Sequence, residues 1–140
     1  MIRPHKIIIV EDNQADAELT KLALKEIPIT FEIVHLKDGN ELIQYLNQTI
    51  INDIAVVLLD LNMPSPSGKD LLRSITADDR LMNVPVVIFS SSSQQEDIQE
   101  CYSIGANAYV KKPVDVEEFQ KAVKAIALFW LEVNVLPTGS

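Results

Sequence analysis

Basic residues are scarce in this chain. Twelve Lys and Arg stand against twenty Asp and Glu, a formal net charge of −8 over 140 residues. Phosphate backbones are gripped by clustered Lys and Arg, so a nucleic-acid surface is excluded. A metal cation or a basic partner surface suits the balance instead. Cysteine is scarcer still: Cys101 stands alone. No internal disulfide can form, which fits a reducing compartment. The four glycines are not clustered, so no loop of the kind that cradles nucleotide phosphates is present. No apolar run reaches membrane-spanning length, and MIRPHK is too short a lead-in for a signal peptide. The expected location is the cytoplasm, without membrane attachment.

What is there is the balance of a globular domain, 47% hydrophobic and 23% charged, with enough chain for a sizeable core. No repeat, linker or shift of composition divides it, so residues 1–140 read as one domain. Five short apolar runs recur: KIIIV (6–10), FEIVHL (31–36), IAVVLL (54–59), VPVVIF (84–89) and AYV (108–110). The third and fourth are nearly continuous in Val, Ile and Leu, as in strands covered on both faces.

Amphipathic segments lie between the runs. Ala15, Leu19, Leu22 and Ala23 follow helical spacing within 13–26, and Leu42, Ile43 and Leu46 share a face within 40–48. GKDLLRSI (68–75) reads as a third helix, and 94–104 carries Ile98, Cys101 and Tyr102 ahead of Gly105 as a stop. The last helix opens on Asp115 as cap, with Glu118 placed to close a capping box, and Phe119, Val123, Ile126 and Trp130 mark its core stripe. The expected fold is α/β: (βα)5, a doubly wound five-stranded parallel sheet in the flavodoxin-like strand order 2-1-3-4-5.

In such sheets ligands bind beyond the carboxyl ends of the strands, near the topological switch point. Four of the five ends carry chemistry. Glu11 and Asp12 follow the first, Asp60 ends the third, Ser90 follows the fourth, and Lys112 follows the fifth, next to Pro113. Three carboxylates in one pocket repel by about 4 kcal/mol per pair at roughly 4 Å and an effective dielectric near 20. Mg²⁺, a hard cation for oxygen ligands, offsets this, and Lys112 adds a second positive charge. A carboxylate so placed can attack a phosphoryl group to give an acyl phosphate, with Ser90 donating to a phosphoryl oxygen.

Singly, each residue has a plainer reading. Glu11 and Asp12 favour the positive end of a helix. Asp60 can form an Asx turn before Pro64. Ser90 sits in a serine run, and most lysines are solvated. Four independent strand ends with complementary chemistry argue for the joint reading.

With IIIVEDN, VVLLDLNMPSPSG, VPVVIFSSSS and GANAYVKKP, the chain resembles the receiver domain of two-component response regulators over nearly its whole length. The resemblance implies that Asp60 is the phosphoacceptor, that Asp12 binds Mg²⁺ directly, and that Glu11 acts mostly through water. It implies the backbone carbonyl of Asn62 as a further metal ligand, Ser90 and Tyr109 as switch residues, and Lys112 as the phosphate-contacting lysine. Gly68 matches the glycine before the third helix. Ser67 stands where many members have Asp, and Ser92 occupies a position that tunes dephosphorylation. The implied function is a non-enzymatic single-domain regulator, phosphorylated by a sensor histidine kinase and acting through a downstream protein. A phosphorelay carrier or phosphate sink and a non-phosphorylated pseudo-receiver are the alternatives within the class.

His5 and His35 lie in or before strands, away from the expected site, and read as structural. A haloacid-dehalogenase-like phosphatase also uses a strand-end aspartate, but it requires a second Asp where Asn62 stands. The ending, AIALFWLEVNVLPTGS, is apolar on more than one side. Residues 128–140 therefore read as an apolar extension of the last helix. The favoured role is a homodimer interface carried by Phe129, Trp130 and Leu131; the alternative is that the tail folds back onto its own domain. FWLEVNVLP also resembles the tail of stand-alone regulators paired with bacterial phytochromes, which implies a phytochrome-type kinase.

Overall fold

The computed structural model describes residues 4–136. Positions 137–140 of the expected extension lie outside the described residues. The strands are β1 (His5–Val10), β2 (Phe31–Leu36), β3 (Ile54–Leu59), β4 (Val86–Ser90) and β5 (Ala108–Lys111). They pair in parallel in the order β2-β1-β3-β4-β5, as the alternation of apolar runs and amphipathic segments predicts. The helices are α1 (Gln14–Lys25), α2 (Gly39–Gln48), α3 (Gly68–Ala77), α4 (Gln95–Ile104) and α5 (Val116–Leu128).

Successive strand side chains point to opposite faces, and the core divides accordingly. Ile8, Val10, Val57, Leu59, Val86 and Ile88 join Leu42, Leu46, Leu71, Leu72 and Ile75 of α2 and α3. Ile7, Ile9, Val56, Leu58, Val87 and Phe89 join Ala23 and Leu24 of α1 and Phe119, Val123 and Ile126 of α5. Every residue of β3 is buried, which explains why its sequence is a continuous apolar run rather than an alternating one.

Helix ends follow local chemistry. Asn13, Asp38 and Ser67 cap α1, α2 and α3, each accepting from the backbone amide three residues on. Asp115 caps α5 by accepting from the amides of Glu117 and Glu118, while the reciprocal capping box forms at α3, between Ser67 and Asp70. Ser67 thus has a local task at the position where Asp is common. Gly105 ends α4 with φ of 130°, a conformation that strains any residue with a Cβ.

Among the boundaries that differ from expectation, both ends of β4 bear on the site. The fourth strand starts at Val86 rather than Val84: Pro85 has no N–H to donate, and its carbonyl accepts from Val57 at 2.8 Å. Ser90 consequently lies inside β4, paired with Lys111, rather than in the loop beyond it.

Beyond α5 the chain widens into a π-helical turn, Phe129–Val133, whose closing bond runs from the Asn134 amide to the Phe129 carbonyl at 2.7 Å. Trp130 and Leu131 pack in part against the α1/α5 side of the core. Leu136 reaches a small cleft shared with Ile51, Ile54 and Pro85. This part of the tail therefore folds back, while Phe129, Val133 and Val135 stay exposed.

Candidate functional site

Parallel ladders continue one residue past the strands and fix the site's backbone. The Glu11 amide donates to the Leu36 carbonyl at 3.1 Å, and the Asp60 amide to the Val10 carbonyl at 3.2 Å. The Lys112 amide donates to the Ser90 carbonyl at 2.7 Å. Glu11, Asp60 and Lys112 are therefore held at the same edge of the sheet, at the ends of β1, β3 and β5. From below, Gly68 abuts Asp60 so closely that a Cβ there would lie 2.4 Å from the Asp60 carbonyl oxygen.

Side chains converge on the same point. Glu11, Asp12 and Asp60 each offer an oxygen within 4.8 Å of the others. The Lys112 ammonium donates to Glu11 Oε1 at 2.5 Å, Asp16 Oδ2 at 2.9 Å and Asp60 Oδ2 at 3.3 Å. It is only 8% exposed, so it is not a solvated lysine. Glu11 and Asp60 are buried and Asp12 is exposed.

Asp60 and Glu11 also make local bonds, on separate oxygens. Asp60 Oδ1 accepts from the Asn62 amide at 3.3 Å, an Asx turn, while Oδ2 meets Lys112. Glu11 Oε2 accepts from the Asn13 amide at 3.2 Å, while Oε1 meets Lys112.

Burial pushes the Glu11 carboxyl up to about 7; the Lys112 bond opposes this and the Asp60 charge adds to it. Burial pulls the Lys112 ammonium down, but its bonds to Glu11 and Asp16 and the charge of Asp60 prevail and raise it above the usual lysine range. The trio offers oxygen donors alone, a set that fits a hard divalent cation.

Ser90 is fully buried, and its Oγ accepts from the Ser92 amide at 3.3 Å. The Tyr109 hydroxyl donates to the Ser92 carbonyl at 2.8 Å, and Ser92 Oγ donates to Asp97 at 2.6 Å. Asp97 and Glu100 of α4 in turn accept from Lys69 of α3. One short loop thus joins both expected switch residues to two helices. Residues 7–124 match the response regulator receiver domain.

The chain belongs to the response regulator receiver domain family.

Response regulator Rcp1 of Synechocystis sp. strain PCC 6803 is 33% identical over 97% of this receiver and 95% of its own length. The Mn²⁺-bound Rcp1 structure superposes with a TM-score of 0.87, covering 96% of this chain and 99% of that one. The phosphorylated cyanobacterial phytochrome response regulator RcpA is 35% identical, with a TM-score of 0.90 over 96% of this chain and 99% of its own. The bacteriophytochrome response regulator AtBRR is 36% identical, with a TM-score of 0.73 over 99% of this chain and 100% of its own.

Sequence reasoning missed two residues of the site. Asp16 bonds Lys112 from α1, and its only sequence signal is an acid in the first helical turn. His35 was expected to lie away from the site; instead its Nε2 lies 2.9 Å from the Glu11 carbonyl oxygen. The reason is register: His35 pairs with Ile9, one step from the end of β1. Among the described residues, no helix is long and apolar enough to cross a membrane.

Proposed function

We propose that this receiver accepts a phosphoryl group on Asp60 and signals through the surface around Tyr109. The observation that carries the reading is the buried contact of Lys112 with Asp60 inside an acidic trio. An Asp60 carboxylate oxygen attacks phosphorus on a sensor kinase phosphohistidine or on a small phosphodonor. The P–N or P–O bond breaks, imidazole or carboxylate leaves, and an aspartyl phosphate forms. Lys112 sits where it can neutralise charge on a phosphoryl oxygen, and Ser90 can donate to another.

Glu11, Asp12, Asp60 and the Asn62 carbonyl would hold Mg²⁺, which supplies charge neutralisation during transfer. The phosphoryl group brings more negative charge than the carboxylate it replaces. Ser90 turning toward it would release the Ser92 amide from Ser90 Oγ. Tyr109, bonded to the Ser92 carbonyl, would carry that change to the surface of α4, β5 and α5. The phytochrome association of RcpA and AtBRR supports a phytochrome-type kinase as donor and a downstream protein as receiver of the signal.

Uptake of one phosphoryl group from acetyl phosphate with Mg²⁺, read by intact mass, tests the assignment. Undiminished labelling of Asp60→Asn would overturn it.

Residues 128–140 are read as an extension that serves a homodimer. Its support is the exposure of Leu128, Phe129, Val133 and Val135 after Trp130 and Leu131 have packed inward. Phe129 stands edge-on to Trp130, with ring centroids 5.1 Å apart.

A further inference from the structure

An ammonium has three N–H donors. Those of Lys112 face three carboxylates, Glu11, Asp60 and Asp16. Two of these belong to the acidic trio that offers oxygens to a common point; Asp16 does not. It stands on the first turn of α1 with its backbone fixed at both ends. Its amide donates to the Asn13 cap at 3.0 Å, and its carbonyl accepts from the buried Thr20 hydroxyl at 2.8 Å. Its side chain is 29% exposed. Asp16 thus holds Lys112 from the solvent side of the pocket without itself facing the point where the trio converges.

Resting on the phosphoacceptor reading above, we propose that Asp16 is a positioning residue that competes with the phosphoryl group for Lys112. With Glu11, Asp60 and Asp16 all accepting, acylation of Asp60 frees only one donor of the ammonium, the longest contact of the three at 3.3 Å. Firmer engagement of a phosphoryl oxygen requires release of a second bond. Asp16 is the partner whose release costs the site least, because its carboxylate already borders water and can be solvated when the ammonium leaves. Glu11 is buried and would be left without that compensation. Asp16 therefore sets how firmly Lys112 engages the acyl phosphate, and through that how long the phosphoryl group lasts. Asn at this position keeps the shape and an acceptor oxygen but removes the charge that holds the ammonium back.

The test compares the parent chain with Asp16→Asn and Asp16→Glu. One measurement is the dissociation constant for beryllofluoride in the presence of Mg²⁺, followed by amide NMR shifts. The other is the half-life of the acyl phosphate, followed by intact mass. Asp16→Asn is expected to bind beryllofluoride about threefold to tenfold more tightly, the span of one lost charge-assisted bond at a partly exposed position. Its acyl phosphate half-life is expected to lengthen in parallel, and Asp16→Glu to restore parental values. A merely structural role for Asp16 predicts the reverse, a lower melting temperature together with weaker binding of the mimic. Unchanged or weaker binding by Asp16→Asn overturns the proposal. A parent chain that takes up no phosphoryl group overturns the phosphoacceptor reading itself, and the role of Asp16 with it.

Discussion

Lys112 Nζ and Asp60 Oδ2 lie 3.3 Å apart, on side chains separated by 52 positions in sequence and buried together at the ends of two non-adjacent strands. β4 lies between them, and both side chains reach across its end. The pair exists because the sheet closes in this strand order and because Lys112 is the cation that balances the buried carboxylates.

Removing that cation leaves Glu11 and Asp60 buried without their shared partner. Lys112→Ala is expected to lower the stability of the metal-free chain by about 3 kcal/mol, the usual cost of breaking a buried ion pair from one side. Urea denaturation in chelator measures it, and an unchanged midpoint would show that Lys112 does not hold the pocket together. Added Mg²⁺ is expected to recover part of the loss.

Glu11 makes the pocket sensitive to pH. Its carboxyl titrates near 7 in the fold against an ordinary value of 4.5. The folded chain therefore holds a proton that the unfolded chain has given up between those values. The stability this contributes is fully present below 4.5 and is lost as pH rises through about 7. Metal binding has the opposite sign, because a deprotonated carboxylate is the better ligand. The expected outcome is a denaturation midpoint in chelator that falls from pH 5.5 to pH 8, and a Mg²⁺-induced gain that grows over the same interval. In Glu11→Gln both trends should flatten.

Close approach of α3 to the acceptor strand can be tested at a single atom. A Cβ at Gly68 would lie 2.4 Å from the Asp60 carbonyl oxygen, a backbone atom that cannot swing aside. Gly68→Ala is expected to cost about 1–3 kcal/mol, as overpacking does elsewhere. It should also slow phosphoryl uptake by displacing Asp60. Parental uptake in a destabilised variant would confine Gly68 to packing.

Tyr109 and Ser90 are joined through Ser92. Tyr109→Phe removes the hydroxyl bond to the Ser92 carbonyl and is expected to cost about 1 kcal/mol. Phosphoryl uptake should remain, because the bond removed is to the Ser92 carbonyl and not to a residue of the acidic trio. Amide NMR shifts in α4 on addition of beryllofluoride should shrink in this variant, and full-sized shifts would remove Tyr109 from the switch.

Tail positions separate into inward and outward sets. On the homodimer reading, Phe129→Ser with Val133→Ser is expected to have a lower mass than the parent chain by light scattering, and an equal mass for the two would remove these positions from an interface. Trp130→Ala, which uncovers the side of the core beneath it, should lower the melting temperature. Truncation after Ala127 would mix the two effects, because it removes both sets at once.

Sequence by itself determined the strands, the helices and the family. Apolar runs of strand length and the cap Asp115 are local signals, carried by neighbouring residues and legible without the fold. The acceptor pocket was legible too, because a parallel sheet brings its strand ends to one edge wherever the helices between them lie. Tertiary structure decided which partner each oxygen takes. Asp60 and Glu11 each divide their two oxygens between a local turn and Lys112, so the turn reading and the chemical reading were never exclusive. Asp16 and His35 join the site through the rotation of α1 and the register of β2, quantities fixed by packing rather than by spacing along the chain. The tail was ambiguous for the same kind of reason. Phe129 and Trp130 are equally apolar in sequence, and only the π-helical turn, set against the sheet, turns one toward solvent and the other toward the core.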